Sequence, residues 1–288
     1  MSDSLATELK LDIARYLQED KSTLQALSSV SKAWQAPAQN ALFSALDFDL
    51  GDEEEKSISD LIGFLQVTPH VANSILRLHI LGDSELGISE RLALSDVFVL
   101  VSLIPGLRAL TLDHCKIPNP SVPPVLEDAA YPKRPVELTL SYIWASPVVF
   151  HIIITRLTGS SLSLSDLSII EPDGSPVIEP PFPTDVLCSV RSLDLGCHEL
   201  FSPATGRDDT VPRWPNIPSL APTTLTRFGT ACGLTTPSHL DNLNGILQTK
   251  CKHVVDLRLD FNTGTDIEDE ASHNFCMCVI SPAILLGS

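Results

Sequence analysis

The sequence predicts an α/β protein in which three short helices precede an open, curved repeat domain with mostly parallel strands. Between residues 5 and 46, apolar residues recur at helical spacing. From residue 60 onwards, apolar helix-like runs alternate with short extended Leu-x-x-Leu-x-Leu elements. The chain has 288 residues, 43% of them hydrophobic, which is ample for a large core. The predicted organisation is a helical domain at 1–46, an acidic linker at 47–59 and a repeat domain at 60–288.

The first 46 residues are predicted to form three short helices. Their apolar positions are Leu5, Leu9, Ile13 and Leu17, then Leu24, Leu27, Val30 and Trp34, then Ala38, Ala41, Leu42, Ala45 and Leu46. Pro37 is expected near the start of the third helix, where proline is tolerated. Three such helices form too small a core to be stable alone, so we expect them to complete their burial against a neighbour or a partner.

The segment from 47 to 56 carries six acidic residues. We interpret it as part of a solvated linker, and an acidic docking loop is the alternative.

Beyond the linker, one pattern of helix and strand repeats. Strand-like copies lie at 75–80, 107–112, 136–140, 164–169, 190–195 and 254–259, with a degenerate copy at 225–228. Helix-like runs precede four of them, at 60–65, 97–101, 148–153 and 240–247. A leucine-rich repeat needs about 20–29 residues per unit, and insertions lengthen it. Alternation turns Leu110 and Leu112 to the same inner side, so stacked units are expected to bury one continuous core.

Residues 5–46 resemble an F-box of the type common in fungal proteins. That family begins with Leu-Pro-x-Glu-Leu, continues with Ile-x-x-Tyr-Leu and later has Val-Ser-Lys-x-Trp. This chain reads Leu5-Ala-Thr-Glu-Leu9, Ile13-Ala-Arg-Tyr-Leu17 and Val30-Ser-Lys-Ala-Trp34. Ala6 replaces a proline that belongs to the adaptor-facing part of the family, and this departure is expected to weaken docking. The run at 104–112 is similar to the leucine-rich repeats that often follow an F-box.

The resemblance implies a substrate-receptor subunit of a cullin-type ubiquitin ligase. The F-box would dock a Skp-type adaptor and, through it, a cullin, while the repeat domain captures a protein substrate. Such a protein is not an enzyme and works by raising the local concentration of substrate. The residues that divide between adaptor contacts and F-box core are Leu5, Leu9, Ile13, Leu17, Leu24, Leu27, Val30 and Trp34. The alternative is an interaction scaffold that is not coupled to ubiquitination.

Two tryptophans are candidate substrate contacts. Trp144 and Trp214 lie beside proline-rich stretches, and exposed aromatic residues are enriched at interface hot spots. The alternative is that each tryptophan packs its loop onto the repeat domain.

Charge and cysteine usage restrict the partners and the compartment. The formal net charge is -17 and the basic residues are scattered, so neither nucleic acid nor an anionic membrane is an expected partner. Seven irregularly spaced cysteines, no secretory signal and apolar runs too short for a membrane span indicate a reducing cytoplasm or nucleus. The apolar tail at 275–286 has two open interpretations, a truncated gene product or a cap on the last repeat.

No catalytic motif is present, and no cofactor or metal is predicted. His273, Cys276 and Cys278 lie close together, but zinc needs four suitably spaced ligands, so buried thiols are the preferred interpretation. The pairs His114 with Cys115 and Cys197 with His198 could suggest a nucleophile and its base. Each cysteine follows a Leu-x-Leu strand, where a small buried residue is typical, so the structural role is preferred. A hydrolase with an unrecognised site is the remaining alternative.

Overall fold

The computed structural model describes residues 5–50, 57–82, 92–118, 132–165, 167–169, 190–195, 225–232, 254–261 and 278–279. Its elements, in chain order, are α1 (Thr7–Tyr16), α2 (Lys21–Val30), α3 (Lys32–Leu42), β1 (Ala45–Asp49), α4 (Ile58–Val67), α5 (Pro69–Ala72), β2 (Arg77–Leu81), α6 (Leu94–Leu103), β3 (Ala109–Asp113), β4 (Lys116–Ile117), β5 (Val136–Ser141), β6 (Trp144–Ala145), α7 (Pro147–Leu157), β7 (Thr158–Ser165), β8 (Ser168–Ile169), β9 (Ser192–Leu195), β10 (Arg227–Cys232), β11 (Asp256–Phe261) and β12 (Cys278–Val279).

Two sheets organise the described residues. The larger sheet has nine strands in the order β1-β2-β3-β5-β7-β9-β10-β11-β12, and the smaller sheet has the order β4-β6-β8. All pairings are parallel except that of β11 with β12. Each strand of the larger sheet therefore lies beside the next long strand of the chain. The prediction of an α/β protein with mostly parallel strands is confirmed.

Alternation along the strands separates a buried face from an outer face. Leu78 and Ile80 of β2 are buried, and their register partners on the following strands are buried leucines. Side chains at the intervening positions point to the opposite side, as expected for pleated strands. Apart from Leu81, the intervening positions of β1, β2, β3 and β5 are polar or small, and we call this side of the larger sheet the outer face.

Helices cover the inner face of the sheet. Buried residues of α4, α6 and α7, such as Leu65, Phe98 and Phe150, join the strand leucines in one continuous core. Two of these helices begin with a side-chain cap. Ser57 and Asp60 form a reciprocal capping box at α4, and Ser146 accepts the backbone N–H of Val149 at α7. The capped ends fix where each helix starts relative to the strands on which it packs.

Helices α1–α3 form a separate helical unit with its own small core. Ala14, Leu24, Ala38 and Ala41 are its buried centre, and Leu17, Leu27 and Leu42 pack against them. Helix α3 begins at Lys32, so Pro37 lies inside the helix and not near its start as expected. A proline there removes one backbone hydrogen bond of the helix.

The first strand lies in a segment that the sequence indicated as helix and linker. Ala45 and Leu46 belong to β1 and not to the third helix, which ends at Leu42. Strand β1 also covers residues 47–49 of the predicted linker, and α4 starts at Ile58 within that segment. Its register places Leu46 beside Leu78 and Phe48 beside Ile80. The strand pattern therefore begins one unit earlier than the sequence indicated.

One predicted strand lies in a different place along the chain. The copy predicted at 164–169 is replaced by β7, whose Leu162 and Leu164 lie beside Leu138 and Leu140 of β5. Residues 168–169 form β8, which belongs to the smaller sheet. The other predicted strand copies coincide with β2, β3, β5, β9, β10 and β11 to within a few residues. The helix-like run at 240–247 lies outside the described residues.

Candidate interaction surfaces

Helix α1 exposes a stripe of large apolar side chains. Leu9 is 48% exposed, Ile13 36% and Tyr16 88%. Their spacing of four and then three residues places them on one side of the helix. The opposite side of α1 is buried and includes Ala14, which contacts the core of the helical unit. We call Leu9, Ile13 and Tyr16 the α1 stripe. Val30, at the end of α2, is a further exposed apolar residue at 68%.

The structure separates the F-box-like residues into an interior set and a surface set. Leu24 is fully buried and Trp34 is 8% exposed. Leu5, Leu17 and Leu27 are half-buried. The surface set consists of Leu9, Ile13 and Val30. Tyr16 also belongs to the surface set, although it was not among the predicted adaptor contacts. Its position three residues after Ile13 could have indicated that it lies on the same side of α1.

The turn between α1 and α2 is held by Asp20, which caps α2. Its carboxylate accepts hydrogen bonds from the side chain and the backbone N–H of Thr23 and from the hydroxyl of Ser22. Led by the Thr23 hydroxyl, these bonds lower the pKa of Asp20 to about 2. On α1 itself, Arg15 contacts Asp12 at 3.4 Å, but both side chains are exposed, so this pair contributes little. The orientation of the α1 stripe therefore depends on packing and on the Asp20 cap.

The outer face of the larger sheet is a second accessible surface. One row of register partners crosses eight strands of this face: Asp47, His79, Thr111, Thr139, Ser163, Asp194, Gly229 and Arg258. The central strands present small hydroxyl side chains, while carboxylates and a guanidinium lie towards the two ends. A Cβ on Gly229 would approach Oδ1 of Asp194 to 2.8 Å, so a larger residue there would require the Asp194 carboxylate to move.

Two histidines lie among carboxylates near one end of the outer face. The Nδ1 atom of His79 is 3.5 Å from Oδ1 of Asp47, and its Nε2 is 4.0 Å from Oδ2 of Asp113. Nδ1 of His114 is 2.8 Å from Oδ1 of Asp113, and the His114 ring stacks on Tyr142 with centroids 4.3 Å apart. His114 and Tyr142 have φ angles of 52° and 49°, so the chain turns in the same left-handed way after β3 and after β5.

Cys115 has a structural role. Its side chain is buried, and its Sγ lies 3.1 Å from the carbonyl oxygen of Asp113 and 3.8 Å from that of Ile80. Burial raises the pKa of the Cys115 thiol to about 12, so the thiol stays protonated at neutral pH. A protonated, buried thiol does not act as a nucleophile. The preferred structural interpretation of Cys115 is confirmed.

The remaining predicted site residues are only partly described. Trp144 is half-buried in β6, where it pairs with Lys116 and Ser168 of the smaller sheet. Trp214, Cys197, His198, His273 and Cys276 lie outside the described residues, and the Cys278 side chain is not described. Within the described ranges, no group of three or more His, Cys, Asp or Glu side chains could hold a metal ion.

Comparisons with protein-family models, with curated proteins and with solved structures found no match. None of the helices in the described part of the chain is long and apolar enough to cross a membrane.

Proposed function

We propose that this protein is a substrate-receptor subunit of a cullin-type ubiquitin ligase. In this proposal α1–α3 form the F-box that binds a Skp-type adaptor, and the following α/β part is a leucine-rich-repeat solenoid that captures a protein substrate. The observation that carries the proposal is the α1 stripe, an exposed apolar surface on the helices whose sequence resembles an F-box. Contiguous exposed apolar surface is typical of protein interaction sites, and the three side chains of the stripe lie on one side of the helix.

The α1 stripe can supply binding energy without loss of the fold. Fully burying a leucine or isoleucine side chain contributes about 1.5–3 kcal/mol. Leu9 and Ile13 are about half and one-third exposed, so an adaptor would gain on the order of 1 kcal/mol from each. Tyr16 is almost fully exposed and offers a larger area, and tyrosine is enriched at binding hot spots. We therefore assign the adaptor contacts to Leu9, Ile13, Tyr16 and Val30, and an internal role to Leu24 and Trp34.

The larger sheet supports the repeat part of the proposal. Its long parallel strands follow one another in chain order, and short strands β4, β6 and β8 stack in parallel beside them. Such an arrangement is typical of a coil that adds one strand with each turn. The outer face leaves the polar groups of each unit accessible, which suits capture of a protein partner.

A co-elution experiment tests the proposal. The full-length protein is mixed with the Skp-type adaptor of its own organism and analysed by size-exclusion chromatography. A Leu9→Asp, Ile13→Asp variant places two charges within the α1 stripe, and a Gln25→Asp, Gln35→Asp variant adds the same charge at exposed positions of α2 and α3. Circular dichroism checks that each variant keeps its helices.

We expect the wild type and the glutamine variant to co-elute with the adaptor and the stripe variant to elute alone. Failure of the folded wild type to bind, or equal binding by the stripe variant, would refute the assigned contacts.

Ala6 favours one second candidate, an interaction scaffold that is not coupled to ubiquitination. It stands where the F-box family has an adaptor-facing proline, and it precedes α1 with no side-chain cap. Adding the cullin to the same experiment separates the two functions. A ternary complex supports the ligase subunit, and an adaptor complex that excludes the cullin supports the scaffold.

A further inference from the structure

A cleft of about 440 Å³ lies where the helical unit meets the outer face of the larger sheet. We call it the junction cleft. Its walls come from the α1–α2 turn, the end of α3 and the strands β1, β2 and β3. Its large polar lining residues are Gln18, Glu19, Lys21, Asp47, Arg77 and His79. Ligand pockets in proteins have volumes of about 300–1,000 Å³, so this cleft is large enough for a small ligand or a peptide segment.

Both sides of the cleft are fixed to each other. The carbonyl oxygen of Ser44 accepts the backbone N–H groups of Leu76 and Arg77 at 2.9 and 3.0 Å. The Ser74 hydroxyl donates to Oδ1 of Asn40 at 2.7 Å, and Phe43 packs on the main core. These contacts join the end of α3 to β2, so the cleft has its shape before any partner arrives. A preformed cleft avoids much of the entropic cost of ordering a site on binding.

Charges of both signs line the cleft with few partners inside the protein. Among the described residues, Glu19, Lys21 and Arg77 make no ion pair within 4.0 Å, and Asp47 contacts only His79 in this way. Apart from His79, the cleft has two carboxylates, Glu19 and Asp47, and two cations, Lys21 and Arg77. A polyanion or a simple cation would meet repulsion from one of the two pairs, whereas a ligand that carries both charges is complementary to the cleft.

We propose that the junction cleft binds an extended peptide segment of a partner protein, with an acidic side chain for Lys21 and Arg77 and a basic side chain for Glu19 and Asp47. Neighbouring strands lie about 4.8 Å apart, so the floor from β1 to β3 spans roughly 10 Å. An extended chain covers that width with about three residues at ~3.3 Å each. Ala45 and Ala109, both on the outer face, leave space over the floor for the peptide backbone.

That the partner is a ubiquitination substrate rests on the proposed function, but binding of the peptide does not. Adaptor binding uses the α1 stripe, and the peptide uses the cleft. The two activities therefore fail independently, and each can be measured without the other.

Selection from a library of seven-residue peptides displayed on phage tests this proposal on the full-length protein. The diagnostic variant is Lys21→Glu, Arg77→Glu, which reverses the two exposed cations of the cleft. The matched control is Lys32→Glu, Arg191→Glu, which makes the same change at exposed positions away from the cleft. A synthetic fluorescent peptide from the wild-type selection then gives affinities by anisotropy.

We expect the wild type to enrich peptides with an acidic and a basic residue within about three positions of each other. The control should bind the synthetic peptide within about twofold of the wild type, and the diagnostic variant should bind it roughly tenfold or more weakly, because like charges then meet. Adaptor co-elution of the diagnostic variant should be unchanged. Absence of enrichment by the wild type, enrichment of peptides without this charge pair, or equal affinity for the diagnostic variant would overturn the proposal.

Discussion

Two neighbouring residues of β3 provide a sharp test of which face of the larger sheet is the core. Leu112 is fully buried, and its register partners Ile80 and Leu140 are fully buried as well. Thr111 precedes it, points to the outer face and is half-buried. Replacing each residue by alanine shortens two adjacent side chains that face opposite surroundings.

We expect Leu112→Ala to lower the free energy of unfolding by about 3–5 kcal/mol. The lost transfer energy of the side chain is increased by a cavity, because buried partners on both neighbouring strands hold their positions and do not fill the space. Thr111→Ala should cost less than about 1 kcal/mol, since it removes a partly solvated side chain and only some strand propensity. At about 2–4 °C of Tm per kcal/mol for a domain of this size, the first variant should melt roughly 6–20 °C below the wild type.

Thermal melts followed by far-UV circular dichroism measure both effects, and urea titration gives a second estimate from the transition midpoint. Equal losses in the two variants, or a loss below about 1 kcal/mol for Leu112→Ala, would contradict the assignment of the inner face.

Three further predictions follow from individual contacts. Hydrogen bonds lower the pKa of Asp20 from its ordinary 3.8 to about 2, so the ionised cap stabilises α2 fully above pH 3.8 and is lost as the pH falls through about 2. The difference in Tm between the wild type and Asp20→Ala should therefore narrow as the pH falls from about 4 to about 2. Cys115, whose thiol pKa is raised to about 12 by burial, should resist iodoacetamide in the native protein and react after unfolding, as read by peptide mass spectrometry. Arg134 donates to the carbonyl oxygens of Val101 and Ile104 at the end of α6. Arg134→Met should therefore lower the free energy of unfolding, measured by urea titration, by about 1–3 kcal/mol, and Arg134→Lys should lose less.

Much of the sheet could be predicted because a Leu-x-Leu alternation is a local signal. The predicted strand at 164–169 is wrong because the local signal there allows two interpretations. The run from 162 to 169 alternates apolar and polar residues almost throughout, so it contains two possible strand registers. The pairing with Leu138 and Leu140 on β5 selects Leu162 and Leu164, and no local pattern contains that information.

The same limit explains the missed strand β1. Residues 46–49 alternate apolar and charged side chains, but they continue an apolar helical spacing and lead into acidic residues. Helix, strand and linker were all compatible with such a short segment. Its assignment depends on β2, whose backbone pairs with it from Arg77 to Leu81.

The surfaces could be predicted to different extents. Helical spacing identified Leu9 and Ile13 as apolar positions, but only the packing of α2 and α3 shows which side of α1 remains open. The junction cleft gave no sequence signal at all. Its lining residues come from the α1–α2 turn and from strands up to β3, far apart in the chain, and their charges looked like ordinary solvated surface groups.

The order of the long strands also has a consequence for how the protein is made. Ala45 pairs with Arg77, and Arg77 pairs in turn with Ala109, so each new strand finds its neighbour already synthesised about one unit earlier. During synthesis, N-terminal domains generally fold before the domains that follow them. The helix that carries the α1 stripe precedes the sheet in the chain and therefore leaves the ribosome before it, and each later strand can then pair with the one made before it. Under the proposed function, the adaptor site on α1 is therefore complete while the later strands are still being made.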